Sequence, residues 1–293
     1  METIIQILAR ELGQKEQYVE NVVKLLDDGN TVPFIARYRK EMHGTMDDQT
    51  IRQLADRLAY LRGLDERRTE VRDAIEAQGK LTDELAAAIQ EAQTLAALDD
   101  LYRPYRPKRR TRASIAREKG LEPLAAAILA ARASSPALEA LAKPYIYPEK
   151  GVETAEDALA GAGDIIAEDL SDDANLRGRL RALLHRTGVL KTVGTDEDDT
   201  IYTMYHDFSE PVRRLQSHRV LAINRGEKEG KLKVTLEADE NEAVAAVIRA
   251  ALHPKNPFGD WLRAVCADSW NRLLFPSLER ELRSELTDAA NEQ

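Results

Sequence analysis

The run from Ile51 to Ile75 constrains this chain more than any other stretch. Ile51, Leu54, Leu58 and Leu61 recur at spacings of three, four and three, and Leu64, Val71 and Ile75 carry the stripe on toward Gln78-Gly79. Side chains three and four apart share one helix face. The spacing therefore predicts a single helix, opened by a capping box at Thr45 and Asp48. Roughly 30 residues at the helical rise make a rod about 45 Å long. Such an apolar stripe needs a partner, and Leu81–Tyr102 supplies one, with Leu85, Ile89, Leu95 and Leu98 on its inner face. A long antiparallel helix pair is the expected frame.

Composition agrees. The 293 residues are 43% apolar and 32% charged, with only 5% aromatic. The charged share exceeds the usual level of about 25%, and Ala, Leu, Arg and Glu, which dominate, favour helix. The expected fold class is all-α, an elongated multi-helical scaffold, in one large domain or two to three small ones. Residues 1–44 read as a helix-turn-helix-like unit, 45–190 as a central helical region, and 191–293 as a helical region with one small β element. That element is Lys231–Ala238, where Leu232, Val234 and Leu236 alternate with Lys233, Thr235 and Glu237. It is the one strand the periodicity predicts.

Local signals place the remaining elements. Ile4, Ile5, Leu8 and Leu12 mark one helix face, and Val19, Val22, Val23 and Leu26 mark a second, ended by Gly29. Asn30 or Thr31 caps a third helix with Pro33 in its first turn, Phe34 and Ile35 inward, and Arg37, Arg39 and Lys40 near its end. The outline is that of a helix-turn-helix. Yet Asp28 and Asn30 flank the glycine where a DNA reader packs apolar residues, so a plain helical hairpin is the competing reading. Thr154 and Asp157 form a second capping box for a helix to about Leu170, and Ser171 caps another to His185 or Arg186. Gly161-Ala162-Gly163 follows no strand, so it reads as a place of close helix approach and not as a phosphate loop. Ile201–Phe208 fits strand or short helix, and Ser217 caps a helix to about Glu227. Helices return from Glu240 to Leu252 and from Phe258 onward, broken near Pro276, with Trp261 and Trp270 as core.

The chemistry-bearing stretch is Arg103–Lys119. Arg103, Arg106, Lys108, Arg109, Arg110, Arg112, Arg117 and Lys119 oppose Glu118 alone, in a protein of formal net charge -9. Pro104 and Pro107 disfavour helix before them and predict a stiff, extended loop at the end of the helix pair, flanked by Tyr102 and Tyr105. Arginines beside aromatics suit phosphate contact and base stacking. A solvated loop that neutralises acidic helices is the alternative.

Other chemistries lack their signatures. Cys266 is the sole cysteine, which excludes an internal disulfide and a cysteine-based zinc site and fits a reducing, cytoplasmic setting. His43, His185, His206, His218 and His253 are scattered, and Asp196, Glu197, Asp198 and Asp199 form an acidic loop that reads as solvated. No GxxxxGK[ST], GxGxxG or GxSxG pattern occurs. No window reaches 18 apolar residues and no signal-peptide core is visible, so membrane association is not expected. No enzyme activity, cofactor or metal is expected. A pI near 5.3 restricts any nucleic-acid contact to a local patch.

Four segments carry a family resemblance: LDDLYRPYRPKRRTRASIAREKGLEPLA (Leu98–Ala125), LLDDGNTVPFIARYRKE (Leu25–Glu41), QGKLTDEL (Gln78–Leu85) and SHRVLAINRGEKEGKLKV (Ser217–Val234). In order and content the chain resembles the bacterial Tex proteins, or transcription accessory proteins. The resemblance implies the amino-terminal helical region of that family, without the RNase-H-like, helix-hairpin-helix and S1 domains usual there. It supplies the expectation of a transcription-associated, non-enzymatic scaffold that contacts RNA or DNA. Phosphate contact is expected from Arg103, Arg106, Lys108, Arg109, Arg110 and Arg112, with Arg37, Arg39 and Lys40 as a weaker second patch. The alternative is a protein-interaction module docking on an acidic surface of the transcription or translation machinery. Ser217–Lys231 reads as a helix end with paired side chains, or as a packing junction toward a following domain.

Overall fold

A computed structural model describes residues 2–107, 110–195 and 201–291. They form two units, Met1–Tyr102 and Arg103–Gln293.

The first unit is all helix. α1 (Ile4–Leu12) opens on a Thr3/Gln6 capping box, and α2 (Glu16–Asp27) follows. Gly29, at φ 83, ends α2 as expected: its amide bonds Leu26 O at 2.9 Å and that of Asn30 bonds Leu25 O at 3.1 Å. α3 (Val32–Tyr38) carries its proline in the first turn, and α4 (Lys40–His43) leads to the long α5 (Asp48–Glu76). Every stripe residue from Ile51 to Ile75 named above is buried, and its first half packs with Leu8, Val19, Val22 and Ile35.

Two local expectations are corrected. The cap of α5 is Asp47, not Thr45: its carboxylate accepts from the Thr50 amide at 2.7 Å. The partner is two helices, α6 (Asp83–Glu91) and α7 (Leu95–Tyr102), not one. Ala92 turns extended at ψ 124, its carbonyl is taken by Arg68 at 2.5 Å, and the Thr94 hydroxyl restarts the chain by accepting from Ala97 N at 3.1 Å. The break resets the helical register. Ile89 and Leu98 stay buried, while Leu95 is 41% exposed.

The second unit opens with a 3-10 turn, Arg103–Tyr105, then α8 (Arg112–Glu118), α9 (Glu122–Ala130) and α10 (Leu138–Ala142). Two 3-10 turns at Lys143–Tyr145 and Pro148–Lys150 lead to α11 (Ala155–Asp172), whose Thr154/Asp157 box forms as expected. α11 is the spine of this unit. A Cβ on Gly161 would stand 2.4 Å from Leu121 Cδ1, and one on Gly163 3.4 Å from Val265 Cγ2, so the small residues do admit close neighbours. Ser171 does not cap the next helix. It lies inside α11, donating to Glu168 O at 2.8 Å, and Asp173 caps α12 (Ala174–Thr187) through Leu176 N at 2.7 Å.

β1 (Val189–Gly194), β2 (Asp207–Pro211) and β3 (Leu232–Glu237) form an antiparallel sheet in the order β2-β1-β3, with Leu190 opposite Leu236. β3 is the expected strand, whereas β1 is not visible in periodicity. Its inward residues are Leu190 and the polar Thr192, while Val193 is 58% exposed. The Ile201–Phe208 stretch resolves into a 3-10 turn, Thr203–Tyr205, and the start of β2. Of the expected acidic loop, residues 196–200 lie outside the described residues. α13 (Ser217–Lys228) has Gln216 at its cap position, not Ser217, with no side-chain cap bond.

α14 (Glu240–Ala251) and α15 (Gly259–Asp268) precede a π-helical turn, Ser269–Leu274, and α16 (Phe275–Asn291). The π turn answers Pro276. The ring would clash with the carbonyl of Arg272 in a regular helix, and widening the preceding turn relieves it. The architecture is mainly α with one small sheet.

Candidate nucleic-acid interface

The basic segment is shorter as a loop than its sequence suggests. Thr111 and Ser114 form a capping box, with amides and hydroxyls exchanged at 2.8 and 3.0 Å, so α8 begins at Arg112. Between the 3-10 turn at Arg103–Tyr105 and α8, the described residues outside helical geometry are Arg106, Pro107, Arg110 and Thr111. Lys108 and Arg109 fall outside the described residues.

The cations at both ends of the segment are bound to the scaffold. Arg103 Nε donates to Asp172 Oδ1 at 3.0 Å, where the aspartate side chain is only 10% exposed. Arg117 Nη1 donates to Glu168 at 2.9 Å and Nη2 to Asp169 at 2.5 Å. Burial lowers the Arg117 pKa, but the hydrogen bond to Glu168 and the charges of Asp169, Glu168 and Glu122 raise it further, leaving it above the ordinary value. Lys119 Nζ donates to Gly151 O at 2.8 Å. The acidic face of α11 thus takes up part of the cluster.

The middle is different. Arg110 and Arg112 are exposed, with Arg110 3.1 Å from an exposed Glu118, while Arg106 is half-buried. Of the flanking aromatics, Tyr105 is half-buried, and Tyr102 of the first unit has the Arg67 guanidinium 5.5 Å from its ring centroid.

Sequence reasoning missed the group that anchors the start of this segment. Arg177, 0% exposed, donates to Ser171 O at 3.3 Å, Ser277 Oγ at 3.2 Å and Glu281 Oε1 at 2.5 Å. Arg181 reaches Glu281 Oε2 at 3.0 Å, and Arg103 Nη1 lies 4.0 Å from Glu281 Oε1. Burial pushes the Glu281 carboxyl up, but Arg177, Arg181 and the Ser277 hydroxyl outweigh it, and the net shift is downward. The signal available was the Arg177/Arg181 pair at helical spacing with Glu281 and Glu285 a hundred residues on.

In the first unit Arg37, Arg39 and Lys40 are all exposed. Phe34 is not inward as expected: it is 38% exposed, beside Tyr38 at 60%, while Ile35 is fully buried. Successive helix residues point about 100° apart, so a seven-residue helix seated through Ile35 turns Phe34 outward. Among the described residues there is no group of three or more His, Cys, Asp or Glu placed to hold a metal ion, and no helix long and apolar enough to cross a membrane.

Two family models match the chain, the Tex-like protein N-terminal domain over residues 2–76 and Tex central region-like over 107–293. The chain belongs to the Tex family. Protein tex of Bordetella pertussis is 46% identical over 304 residues, covering 98% of this chain and 38% of that protein. Transcriptional accessory protein Tex of Neisseria gonorrhoeae is 41% identical over 297 residues, covering 98% and 39% respectively. S1 RNA-binding domain-containing protein 1 of Homo sapiens is 28% identical over 308 residues, covering 99% and 30%. The chain spans about two fifths of the length of the bacterial relatives it matches. The Tex central-region match begins at residue 107, inside the basic segment.

Proposed function

We propose that this Tex-family chain is a non-catalytic, transcription-associated helical scaffold that contacts nucleic acid without sequence preference through residues 106–112. What supports the reading is the division of labour along the basic segment. Arg103 and Arg117 tie its two ends to Asp172 and Glu168, while Arg110 and Arg112 face solvent between them. Arg112 opens α8 behind the Thr111/Ser114 box, so its backbone loses little freedom when it meets a phosphate, which favours binding. The role in transcription is taken from the name of the Neisseria gonorrhoeae relative, and contact with nucleic acid also accords with the name of the human one.

One small patch on a protein of net charge -9 gives weak binding, on the non-specific scale of about 10⁻⁴ to 10⁻⁶ M. Fluorescence anisotropy with single- and double-stranded probes at two salt concentrations tests it. The expected result is affinity that falls linearly in log salt and is competed by unrelated RNA or DNA. Absence of binding at low salt overturns the reading and leaves the loop to an acidic protein surface.

A further inference from the structure

We infer that Phe34 and Tyr38, framed by Arg37, Arg39 and Lys40, form a stacking platform for the unpaired bases of a single nucleic-acid strand. The inference rests on the proposed contact with nucleic acid and adds to it a second site and a substrate class.

The two rings sit four residues apart on α3, with centroids 5.3 Å apart and planes inclined at 45°. Both are exposed in a protein that has only 4 Phe and 9 Tyr. Each ring has its own cation: the Arg39 guanidinium carbon lies 5.8 Å from the Phe34 centroid, and that of Arg37 5.9 Å from Tyr38. The acidic counterweight at these arginines is Glu41, 3.9 Å from Arg39 and itself exposed. Aromatic faces with guanidinium groups beside them attract bases and phosphates together.

The platform is held in place from below. Ile35 is fully buried against the core that includes α5, and the Arg39 amide closes α3 on Ile35 O at 3.0 Å. Asn21 Nδ2 donates to Met42 O at 3.0 Å and ties α4 to α2. Gly44, at φ 64, lets the Tyr18 ring approach to 2.7 Å from where a Cβ would stand. The rings are therefore presented by fixed backbone, and base stacking needs little reordering.

Strand selectivity follows from geometry. A duplex keeps its base faces inside its own stack, so it offers the platform only phosphates, whereas a single strand offers faces as well. Stacking tolerates any base, since each has a π-face.

The test compares a fluorescent single strand with a blunt-ended two-strand duplex, using the whole chain. Phe34→Ala with Tyr38→Ala should weaken the single strand about tenfold, equivalent to about 1.4 kcal/mol, while the duplex changes by less than about twofold. Tyr38→Trp should retain single-strand binding, and the introduced indole should be quenched by the single strand and not by the duplex. Charge reversal in the 106–112 loop should instead weaken both probes. If the alanine pair leaves single-strand binding unchanged, or lowers both probes equally in a protein of unaltered circular dichroism, the platform is overturned and the loop contact stands. If the unaltered chain binds neither probe, both proposals fall.

Discussion

Arg103 Nε stands 3.0 Å from Asp172 Oδ1, so the first arginine of the basic segment is also a strut between the 3-10 turn and the end of α11. Removing it leaves a carboxylate that is 10% exposed without that donor. Arg103→Ala should cost about 1.5–3 kcal/mol in urea unfolding, as for a charged hydrogen bond. Arg110→Ala should stay within about 0.5 kcal/mol, because its ion pair is fully at the surface. Equal losses at the two positions would contradict the division of the segment.

Leu58 and Leu61 lie on the buried stripe of α5, at 5% and 6% exposure. Leu→Ala at either should cost about 2–5 kcal/mol, the range for cavities in a packed helical core. Losses under about 1 kcal/mol at both positions would mean that the stripe meets solvent.

Gly161 faces Leu121, itself 1% exposed, and Ala116 at 3.3 Å from the position a Cβ would take. Gly161→Val should cost about 1–3 kcal/mol through overpacking, despite the helix-favouring loss of glycine. A gain in melting temperature would show that α11 and its neighbours part freely.

Glu281 is held below its ordinary pKa in spite of burial, by Arg177, Arg181 and Ser277. A group with a depressed folded value stabilises fully above its unfolded pKa, near 4.3, and loses that contribution as pH falls through the lower folded value. Glu281→Gln should therefore flatten the acid limb of stability below about pH 5. At pH 7 the same change should cost about 1–3 kcal/mol, since Arg177 stays buried with a weaker acceptor. Urea midpoints at pH 3.5, 5 and 7 for both proteins check it.

The α5 stripe, the Gly29 turn, the Thr154 cap and β3 were legible because each is a local pattern: a period, a glycine, a side chain three residues from its amide. β1 was not, because a buried Thr192 and an exposed Val193 invert the alternation, and its pairing with β2 and β3 is non-local. The break at Ala92 is hidden by helix-forming residues on both sides, and apolar character does not say which of the adjacent Phe34 and Ile35 faces a neighbour. The charge of the 103–119 segment was plain. Which of its arginines are taken by α11 was not, since Asp172 and Glu168 lie 69 and 51 residues away from their partners.

The central claim is that the outward middle of the basic segment contacts phosphate. Anisotropy titration of a single-stranded probe, comparing the unaltered chain with Arg109→Glu, Arg110→Glu and Arg112→Glu together, tests it most directly. The account predicts loss of most binding, with the log-salt slope reduced by about two for three lost contacts, and circular dichroism and melting temperature nearly unchanged. A folded triple variant that binds with unaltered affinity and slope would contradict it.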